Sequence, residues 1–546
     1  MKLRPYQERL LKEVKEAFNR NNRVLLYALC GCGKTVIALT LIRELIKQGK
    51  RVAVSCYSMK DIRKQWRDEI KSNFPDLWEE LQIVCSTQDV PDYIAKGIPA
   101  VSNGNVSRTK LLTIFIPQSI KDANMGKFDM IVIDEAHERL EVERADGKMG
   151  QLKTIIKNHS KPITKYLGLT GTGFKLMGKG KFFEKGTSII YDLVEGLTDG
   201  AINNCALRGE YFDFKLPNSC YKPDNELNSS GIKKFKKFFK TLNKHGKNLM
   251  KHKSFATAKL EKLVSEVKGK TLVIIPPGTG YEEAIANFIC VLKGPMAAVI
   301  NISKLGDDLC ETNEKLFCSR ESRTNFMVII AKCSTGWDFP GLYNVIDLTF
   351  TRNPTSMIQR LARTIRPEDG KPTSQYIYCT DQTRSKKRVI YDLTYALRLT
   401  TESGIIACNG GEADAGIPEV MLRKLCRKSG EKKESIEPIT FDDYVSCTRH
   451  TLMLKSLEQV KREEKEGPWS RLWKPVLREL QRQDKADPWA LTEKFRRLVQ
   501  EFYFEKKQSV ESILEKMRNK FPKIYNTVFK NKPIKIVIKE YYADCS

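Results

Sequence analysis

Residues 23–47 read RVLLYALCGCGKTVIALTLIRELIK. The apolar run Arg23–Tyr27 has the character of a buried strand, and Val36–Lys47 carries helical periodicity. Between them lies Ala28-Leu29-Cys30-Gly31-Cys32-Gly33-Lys34-Thr35. A strand, a glycine loop and a helix in that order form a phosphate cradle. Gly31 and Gly33 let backbone N–H groups approach phosphate oxygens with no Cβ in the way, and Cys30 and Cys32 complete the loop. Lys34 is placed to neutralise β- and γ-phosphate charge, and Thr35 to offer a hydroxyl to Mg²⁺. Ala28 stands where the plain pattern has its first glycine. Cys32 has two readings: a thiolate favoured by the helix dipole, or small filler.

A partner for this loop appears at Met130-Ile131-Val132-Ile133-Asp134-Glu135-Ala136-His137. An apolar strand ends in two adjacent carboxylates, which is poor design for a core. Asp134 is placed to hold Mg²⁺ through its water shell, and Glu135 to orient and deprotonate an attacking water.

Further apolar runs at Arg51–Cys56 and Leu111–Ile116 alternate with helical patterns such as Lys60–Asn73, which predicts an α/β fold on a parallel sheet. A second α/β unit is predicted from Thr271–Ile275, Phe326–Ile330 and Asn344–Leu348. Between the two units, residues 231–253 contain nine lysines and no acid, interleaved with Phe235, Phe238 and Phe239. This stretch reads either as a solvated helix with one apolar stripe or as a basic face near nucleic acid. Beyond residue 395 the pattern is mainly helical, with basic residues, Trp and Tyr mixed.

Composition narrows the class. Of 546 residues, 41% are hydrophobic and 29% charged, which excludes disorder as the main state. The formal net charge of +28 favours a polyanionic partner, nucleic acid ahead of membrane. The charged start MKLRPYQERLLKEV resembles neither a signal nor a transit peptide, and no apolar run predicts a membrane span. Fifteen scattered cysteines fit reduced thiols in the cytosol or nucleus, not a secreted disulfide framework.

In this order the motifs resemble those of superfamily 2 helicases and translocases, and the resemblance runs from residue 3 to residue 367. Leu3-Arg4-Pro5-Tyr6-Gln7 resembles the family's adenine-reading motif, in which Gln7 would bond the base edge and Arg4 would lie at the nucleotide. The stretch from Ser55 to Trp66, with Glu69, resembles motif Ia. Pro117-Gln118-Ser119 resembles the strand-contacting segment before motif II. Leu169-Thr170-Gly171-Thr172-Gly173 resembles the coupling motif III, and Thr271–Pro276 resembles motif IV. Ser334–Pro340, with Gly336 and Asp338, resembles motif V. Gln359-Arg360-Leu361-Ala362-Arg363-Thr364-Ile365-Arg366 resembles motif VI. Thr170-Gly171-Thr172, the ending Ile365-Arg366-Pro367 and the segment Tyr191–Gly200 are similar to one branch of the family. That branch holds phage branch-migration helicases, type I and III restriction translocases and XPB-like DNA helicases.

The resemblance implies two tandem RecA-like parallel-sheet domains, at 1–217 and 270–395. A basic connector, 218–269, would join them, and a mainly α-helical accessory domain, 396–546, would recognise DNA structure. ATP and Mg²⁺ would bind between the lobes. Arg363 and Arg366, on one helix face, would meet the γ-phosphate. His137, Thr170, Thr172, Gln359, Gly336 and Asp338 would couple the nucleotide to the strand. The implied partner is single-stranded, forked or branched DNA, with RNA unwinding or transcript release as the alternative. The non-enzyme alternative is a nucleic-acid scaffold on a decayed motor. The size resembles phage or large-virus members. In the C-terminal part, Cys408, Cys426, Cys447 and His450 read as zinc ligands or as scattered thiols. Trp469, Trp473 and Trp489 read as base-stacking or core residues.

Overall fold

The computed structural model describes residues 2–441 except 30, 57–59, 96, 103–104, 118–124, 141–150, 172–175, 177–180, 241, 243–254, 303–304, 331–338, 369 and 402–434, together with Tyr444 and Asn519. The chain divides into two compact units, Met1–Phe441 and Asp442–Ser546. Of the second unit only Tyr444 and Asn519 are described. The zinc and tryptophan readings of the C-terminal part therefore lie outside the described residues. Among those residues no helix is long and apolar enough to cross a membrane.

The first unit contains two sheets. The first holds β1 (Arg23–Ala28), β2 (Val52–Ser55), β3 (Leu81–Cys85), β4 (Ala100–Ser102), β5 (Leu112–Phe115), β6 (Phe128–Ile133), β7 (Ser160–Thr170) and β8 (Thr187–Tyr191). Their spatial order is β4-β3-β5-β2-β6-β7-β1-β8, and every pairing is parallel. Strands covered on both faces read as near-continuous apolar runs, which is why β1, β2, β5 and β6 were legible within a residue or two.

The second sheet holds β9 (Cys205–Phe212), β10 (Thr271–Ile275), β11 (Ala298–Asn301), β12 (Phe326–Ile330), β13 (Asn344–Asp347), β14 (Ser374–Asp381) and β15 (Ser435–Thr440). Their order is β11-β12-β10-β13-β14-β9-β15, parallel throughout except for β15, which runs antiparallel to β9. The α/β reading with two parallel sheets holds.

Three expected limits shift. The change of sheet comes before residue 217, because β9 pairs with β14 along its whole length. Its sequence, CALRGEYF, interrupts the apolar run with Arg208, Gly209 and Glu210, so it does not announce a buried strand. The second lobe does not end near 395 either, since β15 closes the sheet from within the span expected to be helical. Pro438 is tolerated there because β15 ends the strand order and its register shifts between Ile436 and Ile439. Finally, the described parts of 218–269 contribute to the second lobe's core. Phe235 and Phe239 from helix Ser229–Phe238 and its cap, and Leu260, Leu263 and Val264 from helix Phe255–Glu266, bury against Val273, Val328 and Ile346 of the sheet.

The helix Ser229–Phe238 starts where Asn228 accepts hydrogen bonds from the N–H groups of Ser230 (2.9 Å) and Gly231 (3.1 Å). Its inner stripe enters an aromatic cluster. Phe238 stacks on Phe214 at 4.1 Å, and Phe235 lies 6.1 Å from Phe350 and 6.2 Å from Tyr281. Replacing Phe235 with Ala should therefore cost about 3–5 kcal/mol, and the melting temperature should fall by several degrees. Lys236→Gln on the outer face of the same helix should leave the melting temperature within a degree or so, a surface change being worth under about 0.5 kcal/mol.

Candidate functional site

Three adjacent strands of the first sheet deliver their chemistry to one carboxyl edge. β1 runs into the glycine loop, its neighbour β7 ends at Thr170, and β6, next to β7, leads directly into Asp134 and Glu135. Open parallel sheets bind ligands at that edge.

In the loop, Gly31 (φ 93°) and Gly33 (φ 77°) are both left-handed. Cys30 lies outside the described residues. The room around the glycines is taken by two side chains that the sequence reading assigned to the nucleotide. A Cβ at residue 33 would overlap the amide nitrogen of Gln7. Gln7 is held there because its side-chain carbonyl accepts a 2.9 Å hydrogen bond from the backbone N–H of Arg4. A Cβ at residue 31 would lie 2.9 Å from Cγ of Arg366, which reaches across from the second lobe. Lys34 opens the helix Lys34–Lys47, and its ammonium donates to the carbonyls of Ala28 (2.8 Å) and Leu29 (3.3 Å). Thr35 follows it, half-buried. Cys32 is 1% exposed, so the reading of its thiol as small filler fits better than that of a reactive thiolate.

The acid pair is tightly set. The indole N–H of Trp66, on helix Lys60–Asn73, donates to Oδ2 of Asp134 at 2.8 Å. The backbone N–H of Glu135 donates to Oδ1 at 3.0 Å. Burial, and then the neighbouring Glu135 carboxylate, push the Asp134 carboxyl up to about 6, while the Trp66 bond and Lys34 oppose the shift. Two acids forced together in this way suit a divalent cation, whose charge would offset both the burial and the repulsion. Glu135 itself sits at φ 45°, ψ 53°, left-handed for a non-glycine residue. Such strain costs on the order of 1–3 kcal/mol and is found at functional sites.

His137 joins the lobes. Its Nδ1 lies 3.0 Å from the Thr170 hydroxyl and 3.4 Å from Oε2 of Glu135. Its Nε2 lies 3.2 Å from the amide nitrogen of Gln359, on helix Pro354–Leu361 of the second lobe. That amide nitrogen can only donate. Nε2 is thus the accepting nitrogen, and Nδ1 carries the proton toward Thr170 and Glu135.

Arg363 and Arg366 do not share a helix face, because the helix stops at Leu361. Arg363 lies in the following turn, and Arg366 in the irregular chain beyond it. Both are nonetheless buried. Thr172, Gly336 and Asp338, with Gln118 and Ser119, lie outside the described residues.

Three side chains matter here that sequence reading left without a role. Trp66 carried a weak signal, a large aromatic whose one polar atom needs an acceptor when buried. Arg360 is 3% exposed and bonds Asp347 Oδ2 at 2.9 Å, while Tyr376 donates to the same oxygen at 2.7 Å. Lys371 carried no signal. Its ammonium donates to the carbonyls of Thr364 (2.7 Å), Pro340 (2.8 Å) and Arg366 (3.0 Å).

Residues 1–175 match the model of a family described as type III restriction enzyme, res subunit. No curated protein matches the chain. Among solved structures, the ATP-dependent type ISP restriction-modification enzyme LlaBIII bound to DNA is similar in fold, with a TM-score of 0.50, 14% identity and coverage of 97% of this chain and 41% of that one. A fragment assigned as an HsdR subunit of a type I restriction enzyme from Vibrio vulnificus YJ016 has a TM-score of 0.46, 17% identity and coverage of 70% of this chain and 64% of that one. The chain thus spans less than two thirds of either structure. The family match thus falls on the first lobe and agrees with the superfamily 2 resemblance of its motifs.

The bridge through His137 makes a testable link. His137→Ala and Gln359→Ala should each slow nucleoside triphosphate hydrolysis. The double variant should be no slower than the worse single, because both changes cut one connection. Losses that multiply would show that the two residues act separately.

Proposed function

We propose that the chain is an ATP-driven DNA motor, a Mg²⁺-dependent, nucleic-acid-stimulated ATPase that moves on DNA and separates or remodels its strands. The observation that carries this reading is that Arg366 of the opposite lobe reaches the glycine loop, beside whose Lys34 the Asp134–Glu135 pair stands. The family match of the first lobe, the DNA-bound state of LlaBIII and the +28 net charge support it. An intact set of charged groups argues against a decayed scaffold.

The residues fit a nucleoside triphosphate. The Arg4–Gln7 turn presents an amide to a base edge, and Lys34, at the start of its helix, presents positive charge to phosphates. Mg²⁺ held by Thr35 and Asp134 would supply charge neutralisation at the phosphate oxygens. Glu135 is the base. Its carboxylate takes a proton from the attacking water, and it stands 3.4 Å from Nδ1 of His137. Arg363 and Arg366 meet the charge that develops on the transferring group, a role worth about 10³–10⁵ in rate. They come from the second lobe, so hydrolysis requires the lobes together. The His137–Gln359 bond passes a change at Glu135 to the helix that leads into both arginines. Tracking through backbone contacts would give little base specificity.

Two outcomes test the reading. Glu135→Gln should keep ATP binding and lose turnover, and it should accumulate as an ATP-bound complex on DNA. Lys34→Ala should lose binding itself. Turnover measured in parallel with single-stranded DNA, duplex DNA, forked DNA and RNA identifies the stimulating polymer, and normal turnover by Glu135→Gln would sink the assignment.

Lys371 gives a pH signature. Three carbonyls meet three ammonium N–H groups, and a neutral amine has only two. Burial lowers its pKa to about 8, with Glu368 and Cys205 opposing the shift and Arg366 adding to it. Hydrolysis should fall as pH rises through about 8, while this group's contribution to stability rises from there toward the free-lysine value, because the buried charge is being relieved. Lys371→Met should lower kcat roughly tenfold, equivalent to about 1.4 kcal/mol, with a small change in KM, and it should abolish the alkaline limb.

A further inference from the structure

The helix Ser229–Phe238 carries a face that the ATP site does not use. Lys233, Lys234, Lys236 and Lys237 are exposed on it, and Lys240 just beyond it. The helix contains no acid. Among the described residues no ion pair involves any of these lysines; the nearby acids Glu210, Glu226 and Glu266 pair instead with Arg208, Lys259, Arg360 and Lys262. The opposite face is pinned in the aromatic cluster, so the lysines project from a rigid base. They lie toward the helix C-terminus, where the backbone dipole favours cations.

The position of the face is the second observation. Phe212 is the last residue of β9, Phe350 lies three residues past the end of β13, and Tyr281 six past the end of β10. All three pack against this helix, and the Tyr281 hydroxyl donates to the carbonyl of Lys236 at 3.1 Å. The basic face therefore sits over the carboxyl ends of three strands of the second sheet, the edge at which open parallel sheets bind ligands. Of the other exposed lysines of this lobe, Lys215 lies three residues past the end of β9 and Lys387 six past the end of β14, near the same edge, and four more lie elsewhere. Lys262, Lys268, Lys293 and Lys315 are on the ends of helices, or on turns, that feed β10, β11 and β12 from the amino edge.

We propose that this face is a DNA-docking surface on which Lys233, Lys234, Lys236 and Lys237 contact the phosphate backbone. The inference rests on the reading of the chain as a DNA motor and assigns the second lobe's grip to a named helix. Its chemistry is that of point charges on flexible stems, so it would hold the backbone without reading bases.

The test compares two full-length variants of equal charge change. One carries Gln at 233, 234, 236 and 237, and the other Gln at 262, 268, 293 and 315. Binding to a duplex and to a single-stranded DNA is measured across a salt series, with an RNA arm of the same length. Each lost phosphate contact should flatten the slope of log affinity against log salt by about 0.9 on duplex and about 0.7 on single strands. The first variant should lose at least two such contacts and bind DNA at least tenfold more weakly at moderate salt, while the second keeps the wild-type slope. A variant with Arg at 233, 234, 236 and 237 should bind like wild type, and matching melting temperatures exclude misfolding. Equal losses in both Gln variants, or no loss in the first, overturn the docking surface while leaving the motor reading in place. Binding of RNA but not DNA by the wild type overturns the choice of polymer. Binding of neither overturns the motor reading as well.

Discussion

The buried pair of Arg360 and Asp347 governs what the second lobe can do. Asp347 ends β13 with no exposed surface, and the guanidinium bonds both of its oxygens, at 2.9 and 3.3 Å. Tyr376 from β14 donates to the same carboxylate, as do the backbone and hydroxyl of Thr349, and Glu226 approaches the guanidinium at 3.6 Å. A buried pair of this kind adds little net stability, but losing one partner strands a charge, at a cost of about 3–5 kcal/mol. What the pair supplies is geometry. Arg360 lies one residue after Gln359 on an eight-residue helix, so fixing Arg360 to the sheet aims Gln359 at His137. It also sets the origin from which the chain runs on to Arg363 and Arg366.

Past the helix the fixation is of another kind. Among the described residues from Ala362 to Lys371 there is no helix or strand, yet this stretch must hold Arg366 against a loop in the other lobe. Thr364 bonds the thiol of Cys205 at 3.3 Å, the N–H of Asn203 donates to Ile365 at 2.6 Å, and Lys371 gathers the carbonyls of Thr364 and Arg366. One cation thus substitutes for a helix. Burial disfavours the charged form that makes these bonds, so the position of Arg366 depends on a proton that is held only weakly. The first lobe shows the complementary arrangement. There burial and Glu135 raise the carboxyl of Asp134, and the neutral Trp66 donor offsets part of that cost while keeping the oxygen in place.

Much of this was legible in sequence, for a physical reason. A parallel sheet covered on both faces forces continuous apolar strands, and chemistry at its carboxyl edge forces glycine or charge directly after them. β1 with Gly31–Thr35, and β6 with Asp134–His137, therefore announced themselves. The pairing of His137 with Thr170 and Gln359 joins residues 33 and 222 positions apart, and only the ordered motif set suggested it. Legibility failed where the physics is not periodic. β9 carries Arg208 and Glu210 into the sheet, and Glu210 is fully buried between Arg208 and Lys259, so polar side chains stand at positions that hydropathy assigns to a surface. The helical spacing of Arg363 and Arg366 was correct in number, but the helix ends early. The phenylalanines at 235, 238 and 239 gave an apolar stripe whose destination, the second lobe's core, could not be read from a lysine-rich tract.

The placement of β15 changes how the C-terminal region has to be considered. A division at residue 395 would treat everything after it as an appended module. Yet Ser435–Thr440 is hydrogen-bonded along β9, with Ile436 and Ile439 buried against the second lobe. Without that strand the β9 edge would be open, and with it Gly209, whose missing Cβ leaves room for Ile436 at 3.0 Å. An unpaired edge of this length invites association with other chains. A cut before residue 435 would therefore confound loss of the later unit with damage to the second lobe. A cut after Phe441, at the boundary between the two compact units, would separate them. Whatever the later unit does, the chain reaches it only after β15 has completed the second sheet.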